Sequence, residues 1–196
     1  MNKDILICGV GGQGTVLASK IIASAAMDEG NSVHSAETIG MAQRGGSVTS
    51  HVRIGENVFS PLIPFGSADL LLAFEPAEAV RSLKYLKPEG VAIVNTVPTL
   101  PVTESLNPGA YDPQRMLEYL KTKCACIFVN SDEACAPFGS NKFFNIVLLG
   151  IAAGSGKLGL SRETLIRQIE QRVPARFVDV NKQAFEAGCE LGKPKL

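Results

Sequence analysis

Apolar residues fall in short blocks along the 196-residue chain, separated by glycine, proline and small polar residues, and the spacing inside each block predicts its structure. Ile5–Cys8 is a brief apolar run ending in glycines, which reads as a buried strand. Thr15–Met27 has the alanine-rich composition of a helix, and Ser32–Ala36 reads as a second strand. In the next block Val48, Val52 and Ile54 alternate with Thr49, His51 and Arg53, so the segment is expected to be a strand with one oily and one polar face. Gly55-Glu56-Asn57 then supplies a turn into a second short strand around Val58 and Phe59, forming a hairpin.

Asp69–Phe74 is a continuous apolar run suited to a central strand, and Pro76 sits where a first helical turn tolerates proline. That helix is expected to reach Lys87, because Pro88 and Gly90 stop it, with Val91–Asn95 as the next buried strand. Pro98–Pro113 carries four prolines and reads as a surface loop, followed by a helix over Gln114–Lys123 and a strand over Ala125–Asn130. Lys142–Ala153 is apolar on all sides and is expected to be sandwiched between other elements; its Asn145 needs hydrogen-bond partners if buried. Three consecutive helices close the chain. Ser161 can cap the second, with Leu160 and Leu165 spaced as a hydrophobic staple, and Phe177, Val180, Ala184, Gly188 and Leu191 give the third a buried stripe. The alternation of strands and helices predicts an α/β fold with no repeat and no domain-scale linker, so residues 1–196 read as one domain. Strand order does not follow from the pattern.

Composition narrows the functional classes. A chain of this length hides roughly 70% of its unfolded surface, and 45% hydrophobic with 19% charged residues is a globular profile. Nineteen basic and nineteen acidic residues cancel, so no long-range field draws the chain to nucleic acid or anionic lipid, and any anion site is local. The five cysteines are an odd set without CxxC spacing, which fits reduced, mostly buried thiols rather than zinc or iron–sulfur ligation. Cys124 and Cys126 would share one face of a strand, where packing is favoured over metal binding. The opening Met-Asn-Lys-Asp-Ile-Leu is too short for a signal-peptide core, and the longest oily segment, Phe143–Gly154, falls short of the roughly 20 residues of a membrane span. A cytoplasmic protein is expected.

Two glycine loops carry the candidate chemistry. Gly9, Gly11 and Gly14 match GxGxxG between a strand and a helix, where backbone N–H groups and the helix dipole can hold an anion, and Glu37 lies at the distance used to hold a ribose hydroxyl. Alone, these features suggest a dinucleotide. The continuation argues against it, because a Rossmann half proceeds into another crossover helix and here a glycine loop and a hairpin follow. A P-loop fits poorly: Thr15 occupies the lysine position, and Gly154-Ser-Gly-Lys157 follows an oily helix with Ile151 where the first glycine belongs. What remains is a bend, Gly9 to Gly14 with Gly12 and Gln13 inside it, that lets a backbone or a ligand approach closely; tight strand-to-helix packing alone is the other reading. The second loop, Gln43-Arg44-Gly45-Gly46, sets a planar guanidinium and an amide beside two permissive residues, a grouping suited to carboxylate, phosphate or carbonyls, or else a solvated turn. His51 and Arg53 share a polar strand face that can meet a partner or water, with an interface favoured. His34 and His51 are the only histidines and no serine elbow or cysteine–histidine motif accompanies them, which argues against independent hydrolytic chemistry.

At GVGGQG (Gly9–Gly14), AQRGGSVTSHVRIG (Ala42–Gly55) and NKFFNIVLLGIAAG (Asn141–Gly154) the chain resembles the gamma domain of the 2-oxoacid:ferredoxin oxidoreductases, in order and over nearly its whole length. Gamma chains for pyruvate, oxoglutarate or ketoisovalerate commonly read like SYGPExRGG at the second loop, whereas ETIGMAQRGG here is similar to the indolepyruvate branch, which implies aryl pyruvates. The resemblance implies a three-layer, Rossmann-like domain with a mixed, mainly parallel sheet and an antiparallel portion. It implies a reaction that gives acyl-CoA, carbon dioxide and reduced ferredoxin. Thiamine diphosphate, magnesium and [4Fe–4S] clusters are expected on a large alpha subunit, since this chain lacks a GDG-type diphosphate motif and cluster-forming cysteine spacing. Coenzyme A is expected as cosubstrate, and the isolated chain is expected to be inactive. On this reading both glycine loops, with Gln43 and Arg44, line a joint cleft for 2-oxoacid or coenzyme A, and no residue is assigned a catalytic or metal-binding role. The alternatives are a gamma subunit for another 2-oxoacid and a free-standing dinucleotide-binding module.

Overall fold

Ile5, Leu6, Ile7 and Cys8 have no exposed surface, on either side of the strand that contains them. A strand apolar at consecutive positions must be covered on both faces, and it therefore belongs at the centre of a layered sheet. A computed structural model describes residues 1–40, 45–101, 104, 109 and 111–194 of the chain. Among them, six strands form one sheet: β1 (Lys3–Val10), β2 (Val33–Ile39), β3 (Ser47–Ile54), β4 (Ala68–Ala73), β5 (Leu86–Asn95) and β6 (Ala125–Val129). The order is β2-β3-β1-β4-β5-β6. β1, β4, β5 and β6 run parallel, whereas β3 is antiparallel to both β1 and β2. The expected three-layer α/β arrangement with a mixed sheet is what the chain adopts.

Helix α1 (Thr15–Asp28) packs on one face with α5 (Phe144–Gly154), α6 (Arg162–Arg172) and α7 (Val178–Gly192), burying Ile5, Ile7, Val52, Leu70, Leu72 and Ile93. Helices α2 (Pro76–Ser82) and α3 (Pro113–Lys123) cover the other face over Leu6, Cys8, Leu71, Ala92 and Val94. A short α4 (Ser131–Cys135), which the hydropathy pattern does not announce, follows β6 with Asn130 accepting from the N–H groups of Asp132 and Glu133. Ser161 caps α6 as expected, accepting from Thr164 N, and Leu160 and Leu165 are both buried. Among the described residues no helix is long and apolar enough to cross a membrane.

Three expectations need correction. No strand forms at Val58 and Phe59; the hairpin instead joins β2 to β3, with Val33 opposite Ile54 and Thr38 opposite Thr49. The helix after Pro76 ends at Ser82 and a 3-10 turn over Leu83–Tyr85 leads straight into β5, so Pro88 and Gly90 lie within a strand. The register explains how: Leu86 pairs with Ala68 and Val91 with Leu70, so residues 87–90 bulge out of the ladder, where a missing N–H costs nothing.

The third correction concerns α7. Its buried line is Asn181, Ala184, Phe185, Gly188, Cys189 and Gly192, whereas Phe177 and Leu191 are exposed. The line is displaced because glycines bring α7 backbone to backbone with α5. A β-carbon placed on Gly150 would lie 2.2 Å from Phe185 O, and one on Gly188 would lie 2.2 Å from Val147 O. Gly154 and Gly192 make the same approach to Cys189 O and Ile151 O, at 2.1 and 2.3 Å. Gly154 therefore does more than end a helix.

Candidate functional site

The strands of the parallel half end side by side at Val10, Ala73, Asn95 and Val129, and the segments that leave them frame one cleft. From β1 the chain turns through α1 toward β2, and from β4 it turns through α2 toward β5, the opposite direction along the sheet. Such a reversal leaves an open crevice beyond the carboxyl ends of the two strands. The cleft has a volume of about 580 Å³ and is lined by Gly12–Gly14, Phe74, Asn95, Val97–Thr99, Ser131, Ser140–Lys142 and Phe144.

Two amides hold its floor. Gln13 folds back so that its Oε1 accepts from Val10 N at 2.8 Å, while its Nε2 donates to Phe74 O and to Thr99 Oγ1, each at 3.2 Å. Buried Asn95 donates from Nδ2 to the same Phe74 O at 3.1 Å and to Val97 O, and its Oδ1 accepts from Val97 N and from Ser131 N. The ends of β1, β4, β5 and β6 are thus stitched together by side chains where ladder hydrogen bonds run out. Gly9 permits the stitch, since a β-carbon there would lie 2.6 Å from Gln13 Oε1 and 2.8 Å from Phe74 Cβ. Gly14, with φ of 84°, opens α1 without a side-chain cap, and a β-carbon on it would lie 2.7 Å from Asn145 Nδ2. Close packing and a cleft-facing surface therefore coexist in this loop: Gly9 and Gly14 serve the first, and Gly12, Gln13 and Gly14 line the cleft.

The second glycine loop meets the first directly, because Gly11 N donates to Gly46 O at 2.9 Å. Gly45, with φ of 75°, turns the chain there. Gln43 and Arg44 lie outside the described residues.

His51 and Arg53 do not present an outward face. His51 is 4% exposed, its Nδ1 accepts from Ile63 N at 3.1 Å, and its ring meets Tyr85 edge-on. Burial, with the Arg53 charge adding to it, holds the imidazole below its usual range and so keeps it a neutral acceptor. Arg53 pairs with Asp4 at 2.9 Å and donates to the carbonyls of Ser60 and Leu62. Both side chains bind the segment after β3 against the sheet, which is also why that segment forms no strand.

Glu37 is equally far from a ribose-binding role. It lies on the outer strand β2, separated from β1 by β3, and its Oε1 accepts from Ser19 Oγ. A dinucleotide fold places that acid beside the first strand.

Beside the cleft the sequence reading missed two buried carboxylates. Glu75, 1% exposed, caps α2 by accepting from Glu78 N, yet its Oε1 has no partner among the described residues. Burial raises its pKa. Glu78 accepts from Ser47 Oγ at 2.6 Å and pairs with Arg81. Glutamate before proline at the end of a strand was the available signal. Asn95 at the end of β5, Thr99 and Ser131 shortly after strands, and Lys142 just before α5 were likewise legible only as polar residues.

Metal chemistry finds no cradle here: among the described residues no group of three or more His, Cys, Asp or Glu side chains is placed to hold an ion. Three of the five cysteines, Cys8, Cys135 and Cys189, are buried singly in the core, so the chain's thiols do not fit a four-cysteine cluster.

Comparison with known proteins gives concordant matches. The family described as pyruvate ferredoxin/flavodoxin oxidoreductase matches residues 4–191. Indolepyruvate oxidoreductase subunit IorB of Methanothermobacter thermautotrophicus is 40% identical over 190 residues, covering 96% of each chain. The same subunit of Archaeoglobus fulgidus is also 40% identical over 190 residues, covering 96% of this chain and 94% of that one. Among solved structures, the gamma subunit of a keto/oxoacid ferredoxin oxidoreductase from Geobacter sulfurreducens superposes with a TM-score of 0.71 at 26% identity, covering 97% and 98% of the two chains.

Proposed function

The chain belongs to the pyruvate ferredoxin/flavodoxin oxidoreductase family, and from that premise we propose that it is the small subunit of an indolepyruvate, or aryl pyruvate, ferredoxin oxidoreductase. The observation that carries the reading is near end-to-end similarity: relatives named as indolepyruvate oxidoreductase subunit IorB align over 96% and 94% of their own length. The reaction is oxidation of a 2-oxoacid with coenzyme A and oxidised ferredoxin to acyl-CoA, carbon dioxide and reduced ferredoxin. Thiamine diphosphate with magnesium and the [4Fe–4S] clusters belong to the large partner subunit, in keeping with a chain whose Cys8, Cys135 and Cys189 are each buried apart, leaving too few thiols for a four-cysteine cluster.

In this assembly the small subunit completes a shared pocket. Its two glycine loops, tied by the Gly11–Gly46 hydrogen bond, and the adjoining cleft position the 2-oxoacid or coenzyme A. Support comes from the place of the cleft at the carboxyl ends of parallel strands and from its chemistry: Lys142 and the uncapped start of α1 give it local positive character on a chain with no net charge. Arg44 in the second loop adds a planar guanidinium suited to a carboxylate or phosphate.

Co-expression with the large subunit should yield a stable complex that reduces ferredoxin or viologen with indolepyruvate or phenylpyruvate faster than with pyruvate or 2-oxoglutarate. The reverse preference would reassign the substrate, and tight dinucleotide binding by the purified chain would replace the reading altogether. Arg44→Ala should lower kcat/KM by at least about tenfold, as loss of a charge-assisted contact implies, while the complex stays assembled. Unchanged kinetics would remove Arg44 from the pocket.

A further inference from the structure

Cys124 and Cys126 are set apart from the other thiols by geometry. Their sulfurs lie 3.5 Å apart, and no other pair of cysteine sulfurs among the described residues makes such a contact. They flank the exposed Ala125 at the beginning of β6, the outer strand of the parallel half, with both side chains half-buried against the α2/α3 layer. Cys8, Cys135 and Cys189 are buried in the core. Spacing of two in a strand places the pair on one face, and the proposed function leaves both unused.

We propose that Cys124 and Cys126 form a reversible dithiol–disulfide site whose reaction partner is a low-molecular-weight disulfide such as oxidised glutathione. Bond formation shortens the sulfur–sulfur distance from 3.5 Å to about 2.05 Å, a movement that side-chain rotation and a small backbone adjustment supply. The backbone can adjust because the β6 ladder to β5 starts at Ala125, leaving Cys124 outside it, at the junction with α3. In an extended segment residues two apart sit near the upper limit of Cα separation that a disulfide spans, about 6.8 Å, so the closed form is strained and readily reduced. Reversibility follows from that strain.

The order of events follows from which sulfur is the better thiolate. A hydrogen bond from the Cys126 S–H holds the Cys124 thiol below its ordinary range, and the same contact pushes Cys126 up. The Cys124 thiolate attacks one sulfur of the small disulfide, forming a mixed disulfide and expelling one thiolate. That thiolate takes the Cys126 proton; the Cys126 sulfur then attacks Cys124, closing the intrachain bond and releasing the second thiolate. The protein gives up two electrons and two protons, and one small disulfide becomes two thiols.

The test is equilibration of the full chain, without oxygen, in reduced and oxidised glutathione of graded ratio, followed by alkylation of free thiols. Cleavage after Lys123 and after Phe128 releases a five-residue peptide that holds this pair and no other cysteine. With rising oxidised glutathione this peptide should shift from doubly alkylated to unalkylated and lighter by two hydrogens, and should return on adding reduced glutathione. In Cys126→Ser a glutathione adduct should accumulate on Cys124, and in Cys124→Ser adduct formation should slow by about tenfold or more, as loss of the better thiolate requires. A peptide that stays doubly alkylated at every ratio would overturn the proposal, as would adducts that form equally fast on either single variant.

Discussion

The glycine contact between α5 and α7 yields a prediction whose sign opposes helix propensity. Replacing Gly150 by alanine in an isolated helix stabilises it by about 1 kcal/mol. Here the new β-carbon would lie 2.2 Å from Phe185 O and 2.9 Å from Gly188 Cα, and neither atom can swing aside because both are backbone. Ordinary contact begins near 3.4 Å, so the two helices must part by about 1 Å. Overpacking costs about 1–3 kcal/mol, and a backbone obstacle places this case at the upper end. Separation also loosens the packing of Val147, Ile151 and Phe185, all buried. After subtraction of the propensity gain, Gly150→Ala should destabilise the fold by about 2 kcal/mol, which for a chain of this size lowers Tm by about 4–8 °C.

Gly188→Ala should cost a similar amount, since its β-carbon would lie 2.2 Å from Val147 O and 3.0 Å from Gly150 Cα. The two sites face each other. Once one substitution has parted the helices the second meets less resistance, so the double variant should cost clearly less than the sum of the two. Urea unfolding of the four proteins, with Tm as a second readout, measures both claims. A more stable Gly150→Ala protein, or a strictly additive double variant, would refute the backbone-contact argument.

Gln13→Ala leaves Val10 N without its acceptor and removes one of two side-chain donors from Phe74 O, so urea unfolding should show a loss of about 1–3 kcal/mol, and reconstituted turnover should fall with it. Unaltered stability would remove Gln13 from the floor of the cleft. Burial raises the Glu75 pKa, so the folded chain holds a proton that the unfolded chain releases as pH rises through about 4.5; stability then declines with rising pH until the folded pKa is passed. Glu75→Gln keeps an acceptor for Glu78 N and should flatten that decline and raise stability at pH 7; a variant less stable than the parent at pH 7 would contradict it. His51 has the opposite sign. Its pKa is lowered in the folded chain, so its contribution is present above pH 6.5 and fades as acid protonates the unfolded chain first. His51→Gln should remove that fading, seen as a smaller loss of stability between pH 7 and pH 5 than the parent shows.

Elements whose burial is decided by their own sequence were legible in it. β1, β4 and the inner part of β5 are apolar at consecutive positions, and α5 is apolar on all sides, so each could be placed in the interior within a residue or two. The missed features depend on contacts between distant residues. Val58 and Phe59 have a strand-like composition, yet Arg53 takes the carbonyls of Ser60 and Leu62 and His51 takes the N–H of Ile63, and no local pattern announces those partners. Pro88 is a stop signal by itself and becomes harmless only because the β4–β5 register leaves residues 87–90 unpaired. In α7 an apolar stripe and a glycine contact competed for the same surface, and the glycines prevailed because only they allow the backbones to meet.

The same division runs through the candidate site. Its loops were conspicuous because glycine is demanded where a β-carbon will not fit, at Gly9 and Gly14, or where φ is positive, at Gly12 and Gly45, whereas its floor is built from Gln13 and Asn95, whose residue types are common anywhere. What makes Asn95 structural is that the chain leaving β4 and the chain leaving β6 both come within reach of its amide at the end of β5, a fact of topology. Topology also weighs against the dinucleotide pattern of the first loop. Insertion of antiparallel β3 between β1 and β2 carries Glu37 away from Gly9–Gly14 and brings Gly46 to Gly11 in its place. One strand thus sets a junction of two glycine loops where a dinucleotide fold would bring its ribose-binding acid, so the GxGxxG match, read without the sheet order, does not by itself identify a ligand.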